Sequence, residues 1–94
     1  MIFRKKLRKR IQFYGEVQAV GFRFQAQYAA KLYGVTGWVR NEYDGSVMME
    51  IQGTDNQINS VIAEIDKDPY IRIERMETDW IEPIDNETGF RVKY

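Results

Sequence analysis

The spacing of the apolar residues in this chain changes in an order that leaves few possible folds. Segments with an apolar residue at every second position, typical of strands, alternate with segments spaced by three or four, typical of amphipathic helices. In chain order they read strand, helix, strand, strand, helix, strand, with one short strand segment after them. Because the chain has 94 residues and no linker interrupts it, we expect one α+β domain over residues 1–94.

Two segments carry the helical spacing. The first runs from Phe22 to Tyr33 and is followed by Gly34, where a left-handed helix cap is expected. Its buried face is predicted to consist of Phe22, Ala26, Ala29, Leu32 and Tyr33. The second begins at Thr54 with Gln57 three residues later, which is typical of a capping box, and stops at the proline that follows Asp68. Each helix therefore has one apolar face to bury against a sheet.

The strand segments are predicted at residues 7–16, 35–40, 46–52, 71–81 and 90–94. Asp44-Gly45, between the second and third of them, predicts a hairpin turn. In the fourth, the apolar residues change parity, which predicts a β-bulge near Glu74-Arg75. The order is that of the split-βαβ, ferredoxin-like sandwich, in which an antiparallel sheet carries both helices on one face.

Cysteine and histidine are both absent from the chain. Their absence excludes disulfides, thiolate zinc sites, cysteine nucleophiles and every catalytic triad that depends on imidazole. The sequence also contains no P-loop and no dinucleotide-binding motif, and its acidic residues do not cluster as in a two-metal site. We therefore expect no metal and no cofactor, and any catalysis must use other groups.

Basic residues are concentrated near the start of the chain. Residues 4–10 hold six basic and no acidic side chains, which leaves 8 basic and 14 acidic residues elsewhere. Residues 1–6 are expected to form a flexible basic leader, which either binds nucleic acid or anionic lipid or is a solvated extension that offsets the acidic body. No segment approaches the ~20 apolar residues of a membrane span. We expect a soluble, cytoplasmic protein without a membrane partner.

The junction between the first strand and the first helix lacks the usual helix-start residues. Helices normally begin with Ser, Thr, Asp or Asn and carry acidic residues in the first turn, whereas residues 18–21 here are Gln, Ala, Val and Gly. Arg23 adds a positive charge at the positive end of the helix dipole. A bound phosphate or carboxylate would resolve both conflicts. The alternative is that Gln18 or a later carboxylate caps the helix and Arg23 points into solvent.

Two motifs resemble those of the acylphosphatase family. Residues 15–23 read GEVQAVGFR, which is similar to the family loop G-x-V-Q-G-V-x-F-R. Residues 37–47 read GWVRNEYDGSV, which is similar to the second signature G-W-V-x-N-x-x-D-G-x-V. The resemblance extends over nearly the whole chain apart from the basic leader.

The resemblance implies a small, monomeric, metal-free hydrolase that splits acyl phosphates into a carboxylate and inorganic phosphate. By this resemblance, Arg23 holds the phosphoryl group and Asn41 positions the attacking water. The implied phosphate-binding loop consists of Gln18, Ala19, Val20, Gly21, Phe22 and Arg23. Inorganic phosphate, or sulfate as its mimic, is expected to bind there. The reaction suits a chain without histidine, because a carboxylate with a pKa near ~4 leaves as an anion without a proton donor.

Ala19 departs from the family pattern, which usually has glycine at that position. If the position requires a positive φ, the Cβ costs roughly 1–2 kcal/mol. A catalytically weak or inactive relative that binds phosphate or a protein partner therefore stays open as an alternative. RNA binding is a further alternative with this topology, but residues 46–52 contain no aromatic side chain on which bases could stack, and nucleic acid is not expected as a partner.

Overall fold

The computed structural model describes residues 5–94 and contains the predicted helices and strands in the predicted order. In chain order the elements are β1 (Leu7–Glu16), α1 (Phe22–Tyr33), β2 (Thr36–Asn41), β3 (Val47–Gly53), α2 (Asp55–Asp66), β4 (Arg72–Ile81) and β5 (Phe90–Lys93). The caps also follow the prediction. Gly34 ends α1 with a φ of 75°, and Thr54 and Gln57 form a reciprocal capping box at the start of α2. No helix within residues 5–94 has the length and apolarity needed to cross a membrane.

The five strands form one sheet in the order β4-β1-β3-β2-β5. The pairs among β1 to β4 are antiparallel, as expected for the ferredoxin-like arrangement. β5 instead pairs with β2 in parallel, so that the sheet as a whole is mixed. The reason is the connection over residues 82–89, which carries the chain from the β4 edge to the opposite edge of the sheet.

The predicted β-bulge lies where β1 pairs with β4. Tyr14 pairs with Arg75 and Gly15 pairs with Ile73, so that Glu74 has no partner on β1. Gly15 has a φ of 131°, and a Cβ at this position would lie 2.2 Å from the carbonyl oxygen of Arg72. Only glycine fits here, and the bulge sets the direction in which the chain leaves β1 toward α1.

Both helices pack on one face of the sheet and enclose the apolar core. The core is made of Ile11, Phe13, Val17, Phe22, Ala26, Ala29, Ala30, Val35, Val39, Val47, Met49, Ile51, Ile58, Val61, Ile65 and Ile71. One predicted core residue is wrong, because the side chain of Leu32 is 55% exposed. At 3.6 residues per turn, Leu32 lies about 120° from Ala26 around the helix axis and points away from the sheet. Ala30 takes the predicted place on the buried face.

The opposite face of the sheet holds a buried ion-pair network centred on Arg8. Its guanidinium is 1% exposed and donates hydrogen bonds to Glu50 at 2.9 Å and to Glu87 at 2.7 Å. Burial alone would raise the pKa of each carboxyl, but the hydrogen bonds, from Arg8 and Arg10 to Glu50 and from Arg8 and Thr36 to Glu87, outweigh it and leave both pKa values below the usual range.

The basic segment is therefore not a single solvated extension. Residues 1–4 of the predicted leader lie outside the described residues, and Lys5 and Lys6 are exposed ahead of β1. Arg8 and Arg10 belong to β1 and both pair with Glu50. Part of the concentrated positive charge thus neutralises acidic groups on neighbouring strands.

Replacing Arg8 by methionine should lower the free energy of unfolding by about 3 kcal/mol at pH 7, because Glu87 stays buried and loses its ion pair, while Glu50 keeps only its pair with the half-exposed Arg10. Both carboxyls have a lowered pKa in the folded protein, so the stability that they contribute is complete above their unfolded pKa. It is lost as the pH falls through the folded pKa. Urea unfolding should therefore show a smaller difference between wild type and variant at pH 3 than at pH 7.

Arg72→Met is the matched control, since the Arg72 side chain is 72% exposed and lies 4.0 Å from its acidic neighbour. A surface pair of this kind contributes about 0–1 kcal/mol. An Arg8→Met variant no less stable than Arg72→Met would show that the buried network does not stabilise the fold.

Candidate active site

The start of α1 has no side chain that accepts its first N–H groups. Gly21 occupies the cap position in the left-handed conformation, with a φ of 83° and a ψ of 17°, and no side-chain cap bond is formed. The first turn contains no acidic residue. The N–H groups at a helix start point outward and carry partial positive charge, so this end of α1 can accept an anion.

Gln18 does not cap the helix, contrary to the alternative considered from the sequence. Its side-chain Nε2 donates hydrogen bonds to the backbone oxygen of Glu42 at 2.7 Å and to that of Ser46 at 2.8 Å. Both acceptors lie in the hairpin between β2 and β3. The Gln18 side chain therefore ties the loop before α1 to the segment that follows Asn41.

Arg23 and Asn41 line the same cavity, which has a volume of about 290 Å³. The loop contributes Ala19, Gly21 and Phe22 to its walls. Two residues of the sequence-predicted loop are not among those that line it. The Gln18 side chain binds the hairpin, as described above, and Val20 packs against the apolar core.

The guanidinium of Arg23 makes no ion pair and no side-chain hydrogen bond with any residue in the described part of the chain. Its carbon Cζ instead lies 5.4 Å from the ring centre of Tyr94, a cation–π contact. The donors of the guanidinium fork are thus left available beside the helix start. A phosphoryl oxygen at this point would meet the fork and the N–H groups of α1 together.

Tyr94 is a wall residue that sequence reasoning missed. Along β5, residues 90, 92 and 94 share one face by period two, and Val92 pairs with Val39. The parallel register therefore puts position 94 level with Asn41. The alternation of Phe90, Val92 and Tyr94 was visible in the sequence, but the parallel pairing with β2, which brings Tyr94 to the site, was not.

Ala19 adopts a φ of 61°, so the position requires the conformation that glycine adopts more easily. At a positive φ, the Cβ of alanine is strained where glycine would not be. The cost is roughly 1–2 kcal/mol. It falls in the loop that forms one wall of the cavity.

Within residues 5–94, no three side chains of the histidine, cysteine, aspartate and glutamate types group closely enough to hold a metal ion. The groups that line the cavity and carry charge or hydrogen-bonding capacity are Arg23, Gln27, Asn41 and Tyr94, together with the loop backbone. The arrangement can bind a tetrahedral anion at one end and a water molecule at the amide of Asn41.

The family model and the curated relatives agree on one family. A family model described as acylphosphatase matches residues 9–92. The chain is 43% identical over 82 residues to an acylphosphatase from Oceanobacillus iheyensis, which covers 85% of this chain and 90% of that protein. It is 39% identical over 89 residues to an acylphosphatase from Thermococcus kodakarensis, which covers 94% and 97% of the two chains. The crystal structure of acylphosphatase from Bacillus subtilis superimposes with a TM-score of 0.85 at 28% identity, covering 94% of this chain and 99% of that one.

Changing Ala19 to glycine should raise the free energy of unfolding by about 0.5–1 kcal/mol, because relief of the left-handed strain exceeds the added freedom of the unfolded chain. Gly21→Ala should lower it by a similar amount. Gly21 has a φ of 83°, and a Cβ added there would have no atom within 4 Å, so the substitution adds backbone strain without a clash. Urea unfolding of the two variants measures both effects. Equal shifts of the same sign in the two variants would contradict this account of the loop.

Proposed function

Since the chain belongs to the acylphosphatase family, whose members are hydrolases acting on acid anhydrides, we propose that it hydrolyses acyl phosphates through Arg23 and Asn41 without a metal. The products are a carboxylate and inorganic phosphate. One observation carries the assignment of roles: the open start of α1, Arg23 and Asn41 meet at one cavity.

Arg23 and the backbone N–H groups of the loop hold the phosphoryl group. The first N–H groups of α1 lack a side-chain acceptor, and the helix dipole favours negative charge at this end. The guanidinium fork matches two phosphoryl oxygens at once. Phosphoryl transfer spreads charge over the equatorial oxygens, so donors fixed in place before the reaction stabilise the transition state.

Asn41 positions the attacking water. Its carboxamide oxygen accepts a hydrogen bond from the water, which holds one lone pair of the water toward phosphorus. The hydrogen bonds from Gln18 to the hairpin keep the distance between the loop and Asn41 fixed. Positioning of this kind converts a bimolecular attack into one that needs little further loss of freedom.

The bond changes balance without a general acid. The water oxygen forms a bond to phosphorus while the bond from phosphorus to the acyl oxygen breaks, and the acyl oxygen keeps the electron pair. The carboxylate leaves as an anion because its pKa lies near ~4. The proton released by the water goes to the phosphate product or to solvent. No group in the site must therefore act as histidine does in other hydrolases.

The protein is proposed to act as a single-domain monomer in the cytoplasm. Arg23 and Asn41, the two residues of the proposed reaction, line one cavity of the same chain, so the reaction needs neither residue from a second chain. The absence of cysteine suits a compartment in which disulfides are not formed.

A second candidate function is phosphate binding with weak or no turnover. Its support is the left-handed conformation of Ala19, since a methyl group occupies the loop wall where the family usually has glycine. Phosphate binding without hydrolysis of any acyl phosphate would favour this second function.

Arg23→Ala should abolish both hydrolysis of benzoyl phosphate and the rise in melting temperature caused by inorganic phosphate. Asn41→Ala should lower kcat by roughly 10²-fold or more while phosphate affinity stays within about threefold, because Asn41 contacts the water and not the phosphoryl group. Both variants are measured with EDTA present, beside Arg91→Ala, which removes an exposed arginine that does not line the cavity.

The roles would be wrong if Asn41→Ala lost phosphate affinity as completely as Arg23→Ala. They would also be wrong if Arg91→Ala behaved like Arg23→Ala, since the effect would then be one of net charge. Loss of wild-type turnover in EDTA would contradict the metal-free reaction.

A further inference from the structure

An apolar groove of about 660 Å³ lies along α1 beside the phosphate cavity. Its walls include the rings of Phe24, Tyr28 and Phe90. The Phe24 side chain is 71% exposed and that of Tyr28 is 54% exposed, so two aromatic rings of one helix face solvent side by side. Adjacent exposed apolar side chains in a concave surface are a common feature of ligand-binding grooves.

The groove and the phosphate cavity are adjacent. Phe24 and Gln27 line both of them, and Phe24 follows Arg23 directly in α1. The groove then continues along the helix past Tyr28 to Lys31, which at 1.5 Å per residue is about 10 Å from Phe24. When the phosphoryl group of an acyl phosphate is held at Arg23, its acyl group is therefore within reach of the groove.

The direction of the reaction favours the groove over the other neighbouring cavity. Asn41 and Tyr94 line both the phosphate cavity and a second cavity of about 470 Å³, which also contains Tyr43. In phosphoryl transfer the attacking and leaving oxygens lie roughly in line on opposite sides of phosphorus. Because the water is held at Asn41, the leaving carboxylate lies on the side of phosphorus away from Asn41, and Phe24 and Gln27 are the wall residues that the phosphate cavity shares with the groove.

We propose that this groove binds the acyl part of the substrate and that the enzyme prefers acyl phosphates with an aromatic or other apolar acyl group. The inference rests on the proposed function, because it takes the position of the water from Asn41. Phe24 provides the first contact, with its ring against the acyl group next to the carbonyl carbon. Of the described residues that line the groove, only Lys31 at the far end is charged, so the groove offers no counter-charge to a cationic acyl group.

The test compares kcat/KM for benzoyl phosphate and acetyl phosphate in the wild type, Phe24→Ala, Tyr28→Ala and Leu32→Ala. The kcat/KM of each variant is divided by the kcat/KM of the wild type on the same substrate, so that the intrinsic reactivity of the two anhydrides cancels. Because one aromatic contact is lost, Phe24→Ala should reduce kcat/KM for benzoyl phosphate (the benzoyl value) roughly 5- to 30-fold more than kcat/KM for acetyl phosphate (the acetyl value). Tyr28→Ala should reduce the benzoyl value roughly threefold more than the acetyl value.

Leu32→Ala is the matched control, since Leu32 is an exposed apolar residue of the same helix and does not line the groove. It should leave both substrates unchanged. Because Phe24 and Leu32 are both largely exposed, neither truncation removes core packing. Inhibition by inorganic phosphate, which lacks an acyl group, should change less than the benzoyl value in Phe24→Ala.

The outcomes separate this inference from the proposed function. Suppose that the wild type hydrolyses acetyl phosphate and that the benzoyl and acetyl values of Phe24→Ala fall equally or not at all. This result would refute binding of the acyl group in the groove and leave the proposed function standing. A selective loss of benzoyl hydrolysis in Tyr43→Ala would overturn it as well, by placing the acyl group in the second cavity. A wild type that hydrolyses neither substrate would refute the proposed function and the inference together.

Discussion

The start of α1 is the constraint on which the site depends. A glycine at the cap position, with no side-chain acceptor, loses only about a few tenths of a kcal/mol, a positive charge in the first turn costs about 0.3–1 kcal/mol, and a left-handed alanine adds roughly 1–2 kcal/mol. Gly21, Arg23 and Ala19 bring these three costs together within five residues. They are an appreciable part of a typical total stability of about 5–15 kcal/mol. An anion bound at this position, as the proposed function requires, would offset the first two.

The strained loop persists because both of its ends are fixed by rigid parts of the fold. On one side, Phe22 is 2% exposed and its ring packs against Phe13 at a centroid distance of 4.8 Å. On the other, the close backbone contact at Gly15 and the β-bulge set the exit from β1. The hydrogen bonds of Gln18 then join the loop to the hairpin. The two proposed active residues, which are 18 positions apart in the sequence, are therefore held on one scaffold.

Periodicity and capping residues were sufficient to predict the elements, the capping box at Thr54 and the bulge beside Glu74, because these depend on local sequence. The antiparallel pairing of β1 to β4 followed from the predicted topology, but several other contacts between distant segments were not predicted. The burial of Arg8 depends on Glu50 and Glu87, and the place of Tyr94 depends on the parallel pairing of β5 with β2. The groove along α1 likewise needs segments 24–31 and 89–90 side by side. Leu32 was wrongly assigned to the buried face of α1, because apolar residues cover so much of this helix that their spacing does not define the centre of that face.

The loop itself was predictable to a greater degree than the rest of the site. Its missing cap and the charge of Arg23 can be read from residue types alone, and the resemblance supplied the partner residue Asn41. In the proposed reaction, water held at Asn41 attacks phosphorus and the bond from phosphorus to the acyl oxygen breaks. The position of attack is measured by a single turnover of benzoyl phosphate in ¹⁸O-labelled water, followed by mass spectrometry of both products. Attack at phosphorus places the label in inorganic phosphate and none in benzoate, whereas label in benzoate would show attack at the carbonyl carbon and refute the proposed reaction.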